Sequence, residues 1–204
     1  EPLLLIGRDK EQECILNTAI EQNNSFLAAQ MFIFGCVEAY IYGDYELAVN
    51  FVQKRHELGR KITYKRGYYG MTDFFDGLSF LAMAHQSSDQ KWILSANESI
   101  SNIDHFAKVS PSNCEHKLLL LQAEMKSITG ETEEAISKYE LAISAAERNE
   151  FIHEQAIANE RAAEFFLRNG DSSRAAHHYG EAQSLFLKWG AQMKVDDLLM
   201  SIAL

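Results

Sequence analysis

Three glycines punctuate this chain in the same way. Gly43-Asp44-Tyr45-Glu46-Leu47-Ala48, Gly130-Glu131-Thr132-Glu133-Glu134-Ala135 and Gly170-Asp171-Ser172-Ser173-Arg174-Ala175 each lie between two stretches of helical periodicity. In each, glycine is placed to end one helix in the left-handed conformation. An Asp, Thr or Ser then caps the free N–H groups of the next helix, and the Ala five residues after the glycine lets the two helices approach closely. Gly170 follows Gly130 by 40 residues, and Gly130 follows Gly43 by 87, close to two such periods. The missing turn falls at Ser87-Ser88-Asp89, ahead of Trp92 and Leu94. A helical hairpin of this size has an apolar face that it cannot bury alone, so neighbouring hairpins must stack.

Nothing interrupts a helical reading between these turns. The two prolines are Pro2 and Pro111, and Pro111 follows Ser110 as the first helical residue follows an N-cap. No Asn-Gly or Asp-Gly turn joins alternating β-branched runs. Apolar residues recur at three- and four-residue spacing, as in Ala135, Ile136, Tyr139, Ala142, Ile143 and Ala146. The expected class is all-α: antiparallel helical hairpins stacked as a TPR-like right-handed superhelix, an α-solenoid. Residues 1–204 read as a single repeat domain of about five helix pairs, over 10–59, 71–108, 112–148 and 150–188, with a partial last helix at 191–204. The third and fourth hairpins carry the small-small-aromatic-small pattern best, on Ala123, Gly130, Ala135, Tyr139, Ala142 and on Ala163, Phe166, Gly170, Ala175, Tyr179, Ala182. The first keeps Cys36, Gly43, Tyr45 and Ala48 but has Val52 and Arg55 at the later positions.

Charge narrows the partners. Nineteen Lys and Arg against 29 Asp and Glu give a net charge of -10, which argues against a general nucleic-acid or anionic-membrane binder. The longest apolar runs, Leu3–Ile6 and Leu118–Leu121, fall far short of the about 20 residues of a membrane span. Cys14, Cys36 and Cys114 are odd in number and widely spaced, the pattern of buried thiols in a reducing, cytoplasmic setting. The sequence opens at Glu1-Pro2 without Met and stops at Leu204 inside a helical pattern, which reads as a piece of a longer protein.

The last third carries a resemblance. Glu154-Gln155-Ala156-Ile157-Ala158-Asn159-Glu160-Arg161-Ala162-Ala163-Glu164-Phe165-Phe166 is followed by Gly170, Ala175, Tyr179 and Ala182, and then by Leu187-Lys188-Trp189-Gly190-Ala191-Gln192-Met193-Lys194-Val195. This resembles the TPR-like helical region that follows the AAA-type predicted ATPase module in large signalling proteins. In those chains a Ser/Thr kinase-like domain, the ATPase, this helical region, a GAF domain and a histidine kinase follow one another. The strong match covers Ser112 to Leu199, and a weaker one extends back to Phe26. The resemblance implies a place in a signalling architecture and supplies packing motifs rather than an active site.

Candidate chemistry is sparse. No Gly-x-x-x-x-Gly-Lys-Ser/Thr loop occurs, so nucleotide chemistry would belong to other domains. His153-Glu154 matches the phospho-acceptor box of histidine kinases only in part, since Gln155-Ala156-Ile157-Ala158 follows without the proline. His177 and His178 are adjacent and point about 100° apart on a helix. Glu150, His153 and Glu154 share helical spacing without an identifiable further ligand. No catalytic residue, cofactor or metal is therefore expected. The TPR positions that grip a terminal carboxylate elsewhere hold Leu120 and Glu124 in the third hairpin and Glu160 and Glu164 in the fourth, the wrong sign for that task.

One feature points to a partner. Lys54, Arg55, Arg60, Lys61, Lys65 and Arg66 cluster with Glu57 as the lone acid between them, and Tyr64, Tyr68 and Tyr69 interleave. Such a basic, aromatic patch fits an acidic or phosphorylated protein segment. Phe74 and Phe75, just beyond it, read as core. The expected function is a non-catalytic protein–protein interaction and relay module whose partner is a protein or peptide, including flanking domains of the same chain. The competing expectation is a small-molecule-sensing helical domain that regulates adjacent ATPase or kinase domains.

Overall fold

A computed structural model describes residues 10–59, 70–87 and 89–202. Within them lie ten helices and no strand: α1 Lys10–Glu21, α2 Ser25–Ile41, α3 Tyr45–Gly59, α4 Met71–Ser87, α5 Gln90–Val109, α6 Pro111–Thr129, α7 Thr132–Arg148, α8 Ile152–Arg168, α9 Ser172–Trp189 and α10 Gln192–Ile202. None of these helices is long and apolar enough to cross a membrane.

The turn chemistry explains the boundaries. Gly43, Gly130 and Gly170 have φ of 75°, 78° and 79°, the left-handed cap that a Cβ would strain. Asp44 accepts from the Leu47 N–H at 3.2 Å and Asp171 from the Arg174 N–H at 2.9 Å. The middle turn lies between Ser87 and Gln90, where Asp89 caps α5 by accepting from the Lys91 N–H at 3.0 Å; Ser88 is outside the described residues. Pro111 is the first residue of α6, after Ser110. At the third hairpin Thr132 does not cap. Glu131 holds the N-cap position without a side-chain bond to the helix, and its carboxylate goes to Lys126 and Thr129 instead. Ala48, Ala135 and Ala175 are buried where each hairpin closes.

The first span, 10–59, holds three helices rather than a pair. Asn23 ends α1 at φ 54° and so splits α1 from α2. A like turn joins α7 to α8 through Glu150, at φ 62°. A non-glycine residue does the work of glycine there, and nothing in its side chain announces it.

Consecutive helices pack as antiparallel neighbours, with α2 on α3, α4 on α5, α6 on α7 and α8 on α9. The even-numbered helices also meet in succession, α2 with α4, α4 with α6 and α6 with α8. One apolar cluster therefore runs through the array, from Leu16 on α1 to Leu198 on α10, and Phe74 and Phe75 lie inside it. Aromatic contacts hold the helices both within hairpins and between them: Phe32 of α2 meets Phe51 of α3 at 6.2 Å between ring centroids, and Tyr139 of α7 packs on Phe165 of α8 at 5.2 Å.

The left-handed turns have opposite expected responses. Glu150 is exposed, so Glu150→Gly removes strain without removing packing and raises stability by about 0.5–1 kcal/mol, whereas Gly170→Ala lowers it by about 1 kcal/mol. Urea midpoints measure both, and a lowered midpoint for Glu150→Gly would contradict this account of the turn.

Candidate functional site

Three even-numbered helices carry charged or polar residues where an apolar one would be expected. On α8, Arg161 stands among Ala158, Ala162 and Ala163 and is 4% exposed. On α6, Glu124 follows Ala123 and is 1% exposed. On α4, His85 follows the buried Ala84. The register of the hairpins brings these groups together.

Arg161 grips Glu124 with two donors, Nε to Oε1 at 3.2 Å and Nη2 to Oε2 at 3.3 Å. Its Nη1 lies 2.9 Å from Glu164 Oε2 and donates to the Tyr45 hydroxyl at 3.1 Å. Glu124 also accepts from the Tyr139 hydroxyl at 2.6 Å, and His85 Nε2 stands 3.2 Å from its Oε2. One ion pair thus gathers α3, α4, α6, α7 and α8, and it spans 116 residues between Tyr45 and Arg161. Burial alone would raise the Glu124 carboxyl, but Arg161 and His85 outweigh it and hold the group well below its ordinary value of 4.5. Burial likewise opposes the charge on Arg161, and Glu124 and Glu164 overcome it. Tyr45 is pushed up to about 12, chiefly by burial and against the pull of Arg161, so it stays a neutral acceptor.

A second cluster lies where α6 and α8 begin. Glu154 accepts from His116 Nε2 and, at 3.1 Å, pairs with Lys117 Nζ. The His116 ring stacks on Phe151 and the His153 ring on Trp189, with centroids 4.5 and 5.2 Å apart. Burial is the largest influence on Glu154 and raises its carboxyl, yet His116 and Lys117 hold it below the ordinary value. Burial lowers His153. A third pair ties α10 to α8, with Lys194 Nζ 2.7 Å from Glu160 Oε1. Here burial outweighs Lys194 and leaves the Glu160 carboxyl raised.

The basic patch divides. Lys54 is exposed, but Arg55 is not free for a partner: its side chain is 10% exposed and pairs with Asp76, which also meets His56 Nε2 at 3.1 Å. Arg60, Lys61, Tyr64, Lys65, Arg66, Tyr68 and Tyr69 lie outside the described residues. The terminal-carboxylate positions serve the array itself. Leu120 and Glu124 are buried, Glu160 meets Lys194, and Glu164 lies 2.9 and 3.5 Å from Arg161 and Arg168. Glu150 precedes α8 in its turn and so does not stand on the helix beside His153 and Glu154. His178 stacks on Phe166 and its Nδ1 lies 2.9 Å from Asn159 Oδ1, while His177 is exposed. Cys36 and Cys114 are buried and Cys14 is exposed. No group of three or more His, Cys, Asp or Glu side chains among the described residues is placed to hold a metal.

An open cleft of about 530 Å³ lies between the start of α7 and the α8–α9 turn, lined by Thr132, Ile136, Phe166, Asn169, Asp171 and Arg174 among others. Arg174 covers the Phe166 ring at 4.2 Å. The buried His116–Glu154 pair is set apart from this cleft. It lies at the opposite end of α8 from Asn169, about 22 Å away at 1.5 Å per residue. The cleft and that pair therefore cannot act on one small molecule together. Set against protein families, curated proteins and solved structures, the chain has no significant match.

The knot gives two expectations. Arg161→Met leaves Glu124 buried without its guanidinium and costs about 3–5 kcal/mol, read by chemical denaturation; a loss below about 1 kcal/mol would contradict the geometry. The pH dependence has a definite sign. Glu124 and Glu154 are depressed in the fold, so their stabilisation is present above about 4.5 and is lost as pH falls toward their own lowered values. Glu160 is raised and runs the other way, which blunts the loss without reversing it. Melting temperatures should fall steeply below pH 4.5 in the native chain and less steeply in Glu124→Gln.

Proposed function

We propose that this chain is a non-catalytic protein–protein interaction and relay module. In this reading its hairpins form a TPR-like right-handed superhelix, and the chain works in the cytoplasm beside the ATPase and kinase domains of a larger signalling protein. The contact that carries the proposal is Arg161 reaching from α8 to Tyr45 at the start of α3. Contacts between successive even-numbered helices would let each hairpin hand strain to the next, and this tie couples the two ends of the run directly. A partner pressing on one hairpin would then shift all of those that meet at Glu124.

Surface chemistry supports the partner half of the reading. Phe26 and Phe34 on α2 are 64% and 52% exposed, and Trp189, Leu199 and Met200 near the other end are exposed as well. The helical-region resemblance of residues 112–199 supplies the signalling context, and with the chain's net charge of -10 it favours a protein or peptide partner over nucleic acid or membrane. One observation favours the second reading, a small-molecule sensor: the 530 Å³ cleft combines Phe165 and Phe166 with Asp171 and Arg174.

Crosslinking and pull-down against the neighbouring domains of the parent protein separate the two. The interaction reading expects capture of a neighbouring domain, weakened roughly tenfold when Lys61→Glu and Arg66→Glu reverse the basic patch. Absence of capture, with no response to charge reversal, would overturn it. A metabolite that raises the melting temperature through the cleft, and loses that effect in Arg174→Ala, would favour the sensor instead.

A further inference from the structure

α2 is apolar nearly all the way round. Among its 17 residues Glu38 carries the only charge. A helix of that composition calls for cover on every side, and the fold covers one. Ala28, Phe32, Ile33, Cys36, Ala39 and Tyr40 are buried against the array. The opposite arc stays exposed. Phe26 and Phe34 are each more than half exposed, Leu27 is exposed, and Met31, Val37 and Ile41 are partly covered. Leu27 and Phe34 are seven residues apart, about two turns, so they stand nearly in line, and Phe26 flanks them.

The charge-poor stretch is longer than the helix. From Cys14 to Val37, Glu21 is the only Asp, Glu, Lys or Arg, in a chain where such residues make up 24%. Exposed aromatics in a setting depleted of charge have the composition of an interface core. On the adjoining α1, Ile15 and Ile20 are about half exposed as well.

Two features fit a second copy of this chain to that face. With a net charge of -10, two copies repel over most of their surfaces, and here they can meet without opposing carboxylates. The phenylalanines are also spaced to complement themselves. In an antiparallel pair of α2 helices with the twofold axis beside Gln30, Phe26 of one copy lies level with Phe34 of the other, and symmetry repeats the contact. That register keeps the two Glu38 residues roughly 24 Å apart along the axis, where their repulsion is screened. The face is about 25 Å long, which places the buried area at the low end for a specific dimer and the association in the micromolar range.

We propose that the exposed arc of α2 is a homodimer interface, on which a second copy packs its own α2 in the antiparallel sense. This rests on the reading of the chain as an interaction module and names a second copy as one of its partners.

Sedimentation equilibrium of the native chain should show a reversible dimer with a dissociation constant below about 100 µM. Phe26→Asp and Phe34→Asp should each weaken it at least about tenfold. Leu141→Asp, at an exposed leucine on α7, should leave it unchanged. In the native chain, hydrogen-exchange protection of α2 should rise with protein concentration while that of α6 and α8 holds constant. A monomer at about 100 µM, equal weakening by Leu141→Asp, or concentration-dependent protection that misses α2 would overturn the proposal. The exchange measurement needs no variant, so a poorly folding Phe34→Asp chain leaves it decisive. A monomeric chain that still captures a neighbouring domain would sink the dimer and leave the relay reading standing, and a dimer without capture would do the reverse.

Discussion

Glu124 and Arg161 are both withdrawn from water, so neither tolerates the loss of the other. A buried carboxylate without its cation would have to take up a proton or drag in solvent, and a buried guanidinium cannot shed its charge. The pair therefore fixes the distance between α6 and α8. Each partner then recruits further groups: Glu124 accepts from the Tyr139 hydroxyl and has His85 Nε2 beside it, and Nη1 of Arg161 meets Glu164 and Tyr45. Apolar packing holds the hairpins together but tolerates sliding by a fraction of a turn. A forked ion pair does not, because its donors and acceptors match in one register.

This arrangement gives the charges on the even-numbered helices a structural role. In the sequence, the acidic residues at 124, 160 and 164 rule out one way of gripping a peptide and leave their own purpose open. In the structure they meet Arg161, Arg168 and Lys194, cations supplied by the array itself. Hairpin-to-hairpin geometry is thus set by charge as well as by shape, and an open cleft lies at the α8–α9 turn instead. Under the proposed relay reading these ties would be the elements that transmit a displacement, since a polar tie has discrete made and broken states.

The turns were legible because each is decided within about six residues. Gly43, Gly130 and Gly170 announce left-handed caps, and Ala48, Ala135 and Ala175 announce close approach, with no knowledge of the rest of the chain. Glu150 was not legible. It takes the same left-handed conformation between α7 and α8, and a glutamate carries no local mark of that. Arg55 looked like part of an exposed basic run because its neighbours in sequence are basic, yet its orientation is set by Asp76, 21 residues away on α4. The Glu124–Arg161 knot was out of reach for the same reason. Its members are 37 residues apart, and each alone reads as a solvated helix charge. The one hint was the setting of Arg161, a lone arginine in a row of alanines at 156, 158, 162 and 163 whose small side chains mark a buried face.

The most direct measurement of the coupling is native-state hydrogen exchange in Tyr45→Phe, which removes a single hydroxyl from the knot. If Tyr45 and Arg161 join the two ends of the run, protection should fall by about fivefold in α8 and α6 as well as at the start of α3, the effect of roughly 1 kcal/mol spread through the shared network. A change confined to residues around 45, with α6 and α8 exchanging as before, would contradict the claim that this knot makes the hairpins one mechanical unit.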